Sequence, residues 1–246
     1  MIKSTKLVTN ESLKSPIAEA YKTLRTNIQF SLTDSNGGLK VLLITSSGPV
    51  EGKSTTAANL AITMAQSDQK VLLVDCDLRK PVIHKAFSII NNKGLTNILV
   101  EGVAYENLVN TTFIDNLGVI TSGPKPPNPS ELLGSLRMKT LVDKLKENYD
   151  TVIFDSPPSL PVTDAAVLSK LVDGVIIIAE FGQTTFESLA QTKSLFDKVN
   201  ARLLGVVLNR VPVNHREYYY YYYQEDKAGT DKNGRKSAKA KTRTKT

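Results

Sequence analysis

Uninterrupted apolar runs recur along the chain and predict its strands. They span residues 41–45, 71–75, 117–121, 151–155, 174–179 and 203–209. The apolar residues in each run follow one another directly and do not alternate with polar residues. This pattern is typical of strands in a parallel sheet that is covered on both faces. We therefore predict a single, mostly parallel sheet.

The segments between these runs carry helical patterns. Ser15-Pro16 is a pair that opens helices, because serine caps the N-terminus and proline suits the first turn. We predict a helix over 16–31, where apolar residues recur at helical spacing at Ile17, Tyr21, Leu24 and Ile28. Residues 81–116 are expected to form short helices and loops. Further helices are predicted over 54–66, 130–148, 164–172 and 185–199.

The alternation of strands with helices predicts an α/β fold with a doubly wound sheet and right-handed crossovers. Ligands of such sheets bind beyond the carboxyl ends of the strands. Each segment described below as carrying chemistry follows a predicted strand directly. We therefore expect these segments to meet at one edge of the sheet.

The chain of 246 residues is predicted to contain one folded unit, residues 12–213, which is long enough to bury a substantial core. It lies between an N-terminal extension, residues 1–11, and a C-terminal tail, residues 214–246. The tail is of low complexity, and we expect it to be disordered.

Most of the net charge of +7 belongs to that tail. Residues 224–246 hold eight basic residues against three acidic ones, a net charge of +5, so the folded unit is nearly balanced. This distribution argues against nucleic acid as a partner. The sequence also lacks a secretory signal and any run of about 18 apolar residues. Because Cys76 is the only cysteine, a disulfide framework is impossible. A cytoplasmic location fits these features.

A phosphate-binding loop follows the first strand, at residues 47–54. Backbone amides and the dipole of the next helix attract anions there. Lys53 is expected to reach the terminal phosphates of a nucleotide, and the Ser54 hydroxyl to bind Mg²⁺. The match to the usual pattern is imperfect, because Ser47 stands where a glycine is expected and Gly48 follows it. The alternative is a glycine turn that carries a surface lysine.

Carboxylates follow two other strands. Asp155 ends the run 151–155 and is predicted to hold Mg²⁺ through water. Asp75 is predicted to be a second ligand on the magnesium side, and Asp77 to be the base that orients an incoming hydroxyl. As alternatives, Asp155 is a turn residue, or one of the other two aspartates only caps a loop. Cys76 is expected to be a packing residue.

Six consecutive tyrosines follow the last predicted strand, and we call them the tyrosine cluster. Exposed aromatic residues in such a run serve no packing purpose, whereas their phenolic hydroxyls can accept phosphate. A nucleotide site and an acceptor cluster in one chain predict an enzyme that modifies its own kind. The predicted acceptors are Tyr218, Tyr219, Tyr220, Tyr221, Tyr222 and Tyr223.

In these features the chain resembles the bacterial tyrosine kinases, the cytoplasmic autokinases of capsule and exopolysaccharide synthesis. Three segments carry the resemblance together with the tyrosine cluster, namely 51–55, 74–81 and 154–158. The resemblance implies a phosphate-loop NTPase of the deviant Walker type that uses ATP and Mg²⁺. It also implies an adenine contact from Asn209 and a set of residues around the phosphates: Gly48, Glu51, Gly52, Lys53, Ser54 and Thr55.

Two further positions refine the resemblance. Relatives that partition chromosomes carry a second lysine five residues before the phosphate-loop lysine, where this chain has Gly48, and this difference favours the kinase branch. In the kinases, a Glu-x-x-Arg-x-x-Arg helix mediates ring-like self-association, and the matching residues are Glu19, Lys22 and Arg25. Lysine lacks the fork of a guanidinium. An intrahelical pair between Glu19 and Lys22 is therefore the alternative.

The function hypothesis is an ATP-dependent protein-tyrosine autokinase that regulates capsule or exopolysaccharide synthesis. The alternatives are a partitioning-type ATPase and a non-catalytic, nucleotide-gated scaffold of an export complex. The resemblance implies a membrane-spanning activator that recruits the chain to the inner face of the membrane. We also expect a cognate tyrosine phosphatase, and transfer of phosphate between neighbouring chains. The basic tail is expected either to contact anionic lipid or only to aid solubility.

Overall fold

The computed structural model describes Leu7, residues 15–31 and residues 40–212. The chain divides into two compact units, Met1–Arg210 and Val211–Thr246, and the fold below is that of the first. The predicted extension, apart from Leu7, lies outside the described residues. The predicted tail and its tyrosine cluster also lie outside them.

A seven-stranded sheet forms the centre of the first unit. Its order is β3-β4-β2-β5-β1-β6-β7, and every neighbouring pair is parallel except β3 with β4. The predicted α/β fold with a doubly wound, mostly parallel sheet is therefore confirmed. The strands are β1 (Val41–Ser46), β2 (Val71–Asp75), β3 (Asn110–Thr111), β4 (Leu117–Ile120), β5 (Thr151–Asp155), β6 (Gly174–Glu180) and β7 (Leu203–Asn209).

Helices cover both faces of this sheet, together with a 3₁₀ turn at Tyr105–Leu108. None of the helices in the part of the chain that is described has the length and apolar character needed to cross a membrane. The helices are α1 (Pro16–Phe30), α2 (Lys53–Ala65), α3 (Ile83–Ala86), α4 (Leu95–Glu101), α5 (Pro129–Leu133), α6 (Leu136–Asn148), α7 (Asp164–Leu168) and α8 (Phe186–Lys198).

Two apolar cores account for the uninterrupted apolar strands. Successive residues of a strand point to opposite faces, so in β1 Leu43 packs with residues of α6 and α8, while Leu42 and Ile44 pack with residues of α2. All six residues of β1 are buried. Its apolar residues 41–44 alternate between the two cores, so a polar residue at any of these positions would enter a core.

Three details of the predicted elements were wrong. The helix predicted over 130–148 is two helices, because the chain breaks at Gly134 and the Ser135 hydroxyl caps α6 by accepting from the Met138 amide. Serine is favoured at such a cap. The helix predicted over 164–172 ends at Leu168 and continues as tight turns. Strand β3 was not predicted, since two residues are too short to show a periodic pattern.

Candidate active site

The phosphate loop, residues 47–54, follows β1 and includes the first two residues of α2. Gly52 has a φ of 94°, a left-handed conformation that glycine adopts readily. A β-carbon at this position would lie 2.0 Å from Asn209 Nδ2. The backbone conformation therefore favours glycine here, and a larger residue would also displace the Asn209 side chain.

Glu51 holds this loop together. Its Oε2 accepts a hydrogen bond from the Gly48 amide at 3.0 Å, and its Oε1 accepts one from Thr184 Oγ1. Its backbone carbonyl accepts a further bond from Asn209 Nδ2 at 3.0 Å. The neighbouring Val50 has a φ of 68°, which is strained for a β-branched residue. The predicted nucleotide-binding residues Gly48, Glu51 and Asn209 thus lie together.

Ser47 explains the imperfect match of the loop to the usual pattern. This buried residue accepts a hydrogen bond at 2.9 Å from Thr192 Oγ1 on α8. The loop is thereby tied to α8 through the hydroxyl group that stands in the place of the expected glycine. Sequence reasoning missed both Thr184 and Thr192. Neither belongs to a motif, and their partners lie 133 and 145 residues away along the chain.

Lys53 begins α2 and meets a carboxylate from the turn that follows β2. Its Nζ lies 3.3 Å from Asp77 Oδ2, and the two side chains are only 12% and 4% exposed. Burial alone would lower the pKa of Lys53, but the charges of Asp155 and Asp77 outweigh it and raise the pKa above its ordinary value. The side chain is therefore a buried ammonium ion that is ready to pair with phosphate.

Asp75 and Asp77 shape the turn that follows β2. Asp75 Oδ1 accepts from the Asp77 amide at 3.2 Å, and Oδ2 accepts from the Ile83 amide at 3.1 Å. Asp77 Oδ1 accepts from the amides of Arg79 and Lys80, which leaves Oδ2 directed at the ammonium of the phosphate loop. Complete burial raises the pKa of Asp75 well above its ordinary value.

Asp155 ends β5 and lies directly beside Asp75 on the neighbouring strand β2. Both of its carboxylate oxygens are buried and lack a hydrogen-bond partner among the described residues. Burial raises the pKa of Asp155 to about 6, although the charge of Lys53 acts in the opposite direction. A buried carboxylate without a partner is costly. Its oxygens are available to a cation.

The donor set fits Mg²⁺ bound together with a nucleotide. The available groups are a serine hydroxyl and carboxylate oxygens, the hard oxygen ligands that Mg²⁺ prefers. Within the described ranges, no group of three or more His, Cys, Asp or Glu side chains is arranged to hold a metal ion by itself. Phosphate oxygens and water would therefore complete the coordination, as is usual for Mg²⁺ at nucleotide sites.

The predicted self-association residues lie on α1, outside this cluster. Glu19 Oε1 is paired with Lys22 Nζ at 2.6 Å, as in the intrahelical alternative. Arg25 Nη1 donates to the Thr63 carbonyl of α2 at 2.9 Å. All three side chains thus have contacts within the chain, and their part in an interface stays a prediction. The tyrosine cluster lies outside the described residues.

Comparison with known proteins identifies the family to which the chain belongs. The AAA domain family matches residues 39–206. Tyrosine-protein kinase YwqD of Bacillus subtilis (strain 168) is 46% identical over 206 residues, which are 83% of this chain and 86% of YwqD. CapB of Staphylococcus aureus is 38% identical over 220 residues, which are 89% of this chain and 96% of CapB. The chain belongs to the bacterial tyrosine kinase family.

Solved structures agree with this placement. The chimerical protein CapA2B2 has a TM-score of 0.81 and 43% identity, covering 86% of this chain and 92% of the chimera. The kinase domain of the Escherichia coli tyrosine kinase ETK has a TM-score of 0.76 and 32% identity, covering 85% and 84%.

A more distant structure shows how widely the fold is shared. MinD of Pyrococcus horikoshii OT3, solved with Mg-ADP, has a TM-score of 0.60 at 22% identity over 70% of each chain, and it shares the fold alone. The predicted phosphate-loop NTPase fold is confirmed, and the chain is a nucleotide-binding protein of this bacterial tyrosine kinase family.

Proposed function

We propose that this bacterial tyrosine kinase transfers the γ-phosphoryl group of ATP to the tyrosine cluster of its own kind, and thereby regulates capsule or exopolysaccharide synthesis. One observation carries the proposal: the Lys53 ammonium lies beside Asp77, with the unpaired oxygens of Asp155 close by, at the carboxyl ends of three strands. The tyrosine kinase names of related chains support the choice of acceptor.

The residues divide the work of transfer between them. Lys53 neutralises the charge of the terminal phosphates, and the amides of the phosphate loop bind their oxygens. As the tyrosine oxygen bonds to the γ-phosphorus, the bond from that phosphorus to ADP breaks. The phenolic proton passes to Asp77 Oδ2. Because the transition state is loose, correct positioning of the phenol matters more than its full deprotonation.

Mg²⁺ is expected to be held by Ser54 and Asp155, with Asp75 beside them. When bound there, the ion would neutralise charge that develops on the phosphates. Asp75 oxygens already accept backbone amides, but each oxygen retains a second lone pair. Thr55 follows in the first turn of α2, and Asn209 is the proposed adenine contact. Asn209 also holds the Glu51 carbonyl, so base binding and loop conformation are linked.

We extend the proposal to the partners that the sequence implies. These are a ring-like homo-oligomer, a membrane-spanning activator that recruits the kinase to the inner face of the membrane, and a cognate tyrosine phosphatase.

Phosphorylation of the tyrosine cluster would also offset the positive charge of the basic tail, since each phosphoryl adds roughly −1.5 to −2 charge. Vesicles with anionic lipid should bind the unmodified chain and release the phosphorylated one. Binding that is equal for both forms would reject the lipid contact.

Incubation with γ-labelled ATP and Mg²⁺ separates the kinase from its alternatives. Labelled tyrosine supports the kinase, and free phosphate alone supports a partitioning-type ATPase. Nucleotide that is bound without reaction supports a non-catalytic scaffold. The experiment therefore assigns the class of protein from one reaction mixture.

Transfer between chains is tested by mixing two variants. One carries Lys53→Met and an intact tail, and the other is active but lacks residues 214–246. Label on the Lys53→Met chain is expected, because a neighbouring site can reach its tail. A Lys193→Met chain, altered at an exposed ion pair on α8, is the control that labels itself. If the Lys193→Met chain carries label and the Lys53→Met chain carries none, phosphate is transferred only within one chain.

A further inference from the structure

An ion pair joins the two loops that carry the aspartates of the site. Arg79 Nε donates to Asp164 Oδ2 and Arg79 Nη2 donates to Asp164 Oδ1, both at 2.9 Å. Asp164 is completely buried at the start of α7, whereas the Arg79 side chain is 36% exposed. The two parallel bonds fix the plane of the guanidinium as well as its position.

A third loop is bound to the same carboxylate. The Ser130 hydroxyl, in the first turn of α5, donates to Asp164 Oδ1 and lies 3.0 Å from Thr163 Oγ1. The loops after β2, β4 and β5 therefore meet at Asp164. We call Arg79, Ser130 and Asp164 the loop latch. In the sequence, Arg79 belongs to the segment 74–81 that carries the family resemblance, but no role was predicted for it.

The latch begins two residues from the proposed base. Asp77 Oδ1 accepts from the backbone amide of Arg79 at 3.3 Å and from that of Lys80 at 2.9 Å. The backbone at residues 79–80 therefore fixes the orientation of the Asp77 carboxylate, whose Oδ2 contacts Lys53. The side chain of the same arginine is fixed at its far end by Asp164.

The segment that ends at Asp164 is hydrogen-bonded to the start of the phosphate loop. Asp164 closes the segment that follows Asp155, and within this segment the Ser159 amide donates to the Ser46 carbonyl at 2.8 Å. The Leu160 amide donates to the Ser47 carbonyl at 3.4 Å. The loop after β5 is therefore hydrogen-bonded to the end of β1 and to the start of the phosphate loop, and the loop after β2 contacts Lys53 through Asp77.

We propose that Arg79 and Asp164 are positioning residues for phosphoryl transfer, which hold Asp77 at a fixed place relative to Lys53 and Asp155. This proposal rests on the proposed function, since it assigns the latch to that reaction. A displacement of about 1 Å in a reacting group costs on the order of 100-fold in rate. A pair that served only stability would leave the rate of the folded enzyme unchanged.

The test compares kcat and the KM for ATP in latch variants of the full chain. Arg79→Ala is expected to lower kcat about 100-fold and to change KM less than threefold. Arg79→Lys retains the charge but cannot form both bonds in one plane, so a loss of about tenfold is expected. Arg79→Ala combined with Asp164→Ala should lose no more than the larger single effect, because the two residues act as one unit.

Lys146→Ala is the matched control. It removes a partly buried ion pair with Asp173 in which the side chains are 33% and 25% exposed, and this pair includes no residue of the site. This variant should be less stable but keep its kcat. Added guanidinium, at concentrations that do not unfold the chain, should restore part of kcat to Arg79→Ala and none to the control.

The outcomes separate the two proposals. If the unaltered chain labels no tyrosine, the proposed function fails. If it labels tyrosine and folded Arg79→Ala keeps kcat within twofold, the positioning role fails alone. Should Arg79→Ala not fold, Arg79→Lys decides by the same comparison, and an unchanged kcat there overturns the latch.

Discussion

At the scale of single residues, the site depends on side chains in costly surroundings. Asp155 is completely buried, and neither of its oxygens has a hydrogen-bond partner among the described residues. An unpaired buried charge is destabilising unless the group takes up a proton or a ligand compensates for it. We infer that magnesium and nucleotide provide the compensation, so the empty site is less stable than the filled one.

The first prediction concerns Asp155→Asn, which removes the charge but keeps the shape. Because burial raises the folded-state pKa of Asp155 from 3.8 to about 6, the folded state binds the proton more tightly than the unfolded state does. This group's contribution to the free energy of unfolding therefore falls as pH rises from about 4 to 6. Above that window, the variant without nucleotide should be more stable than the unaltered chain, by on the order of 3 kcal/mol.

Urea unfolding at pH 5 and pH 7.5, with and without Mg-ATP, checks this prediction. The variant should also lose most of the stabilisation that Mg-ATP gives to the unaltered chain. If the free energy of unfolding without ligand depends on pH equally in both chains, the buried environment assigned to Asp155 is contradicted.

Gly52→Ala is expected to abolish tight nucleotide binding. The new β-carbon would lie 2.0 Å from Asn209 Nδ2 and would require a φ of 94°, so the loop must shift or Asn209 must leave the Glu51 carbonyl. We expect the affinity for ATP to fall more than tenfold in isothermal calorimetry. Gly102→Ala is the matched control, because Gly102 has a φ of 74° with open space around it. If both variants bind ATP alike, the crowding at residue 52 is unimportant.

At the scale of elements, one carboxylate joins three of them. Asp173, just before β6, accepts from the Lys40 and Val41 amides at the start of β1. It also accepts from Lys146 Nζ near the end of α6. These contacts set the register between β1 and β6 at the edge of the sheet opposite the active site.

Asp173→Ala is therefore expected to lower the free energy of unfolding by about 1–3 kcal/mol at pH 7. Partial burial acts to raise the pKa of Asp173, but Lys146 and the two amides outweigh it and hold the pKa below its ordinary value. The stabilisation is present at pH values above the unfolded-state pKa and is lost as pH falls through the folded-state pKa. The difference between the two chains should accordingly shrink below about pH 4.

Chemical denaturation of both chains across this pH range provides the measurement. Asp197→Ala, which removes an exposed ion pair on α8, is the control and should cost less than about 1 kcal/mol. An equal effect of the two substitutions at pH 7 would contradict the role assigned to Asp173.

At the scale of the whole molecule, the sequence predicts what depends on local pattern. The strands are visible because each is buried on both faces, and Lys53, Asp75 and Asp155 are visible because each stands at a strand end or helix start beside the expected ligand. The contacts that support them are not visible. Thr184, Thr192 and Asp164 reach their partners across 133, 145 and 85 residues, and no local pattern records such distances.

The central claim is that one cluster of lysine and aspartates transfers phosphate to tyrosine. Mass-spectrometric mapping of the purified chain after incubation with Mg-ATP tests it most directly, beside the Lys53→Met and Asp77→Asn chains. We predict phosphate on the tyrosine cluster of the unaltered chain, and at least 100-fold less on both variants. Phosphotyrosine that is absent from the unaltered chain, or undiminished in Asp77→Asn, would contradict the account.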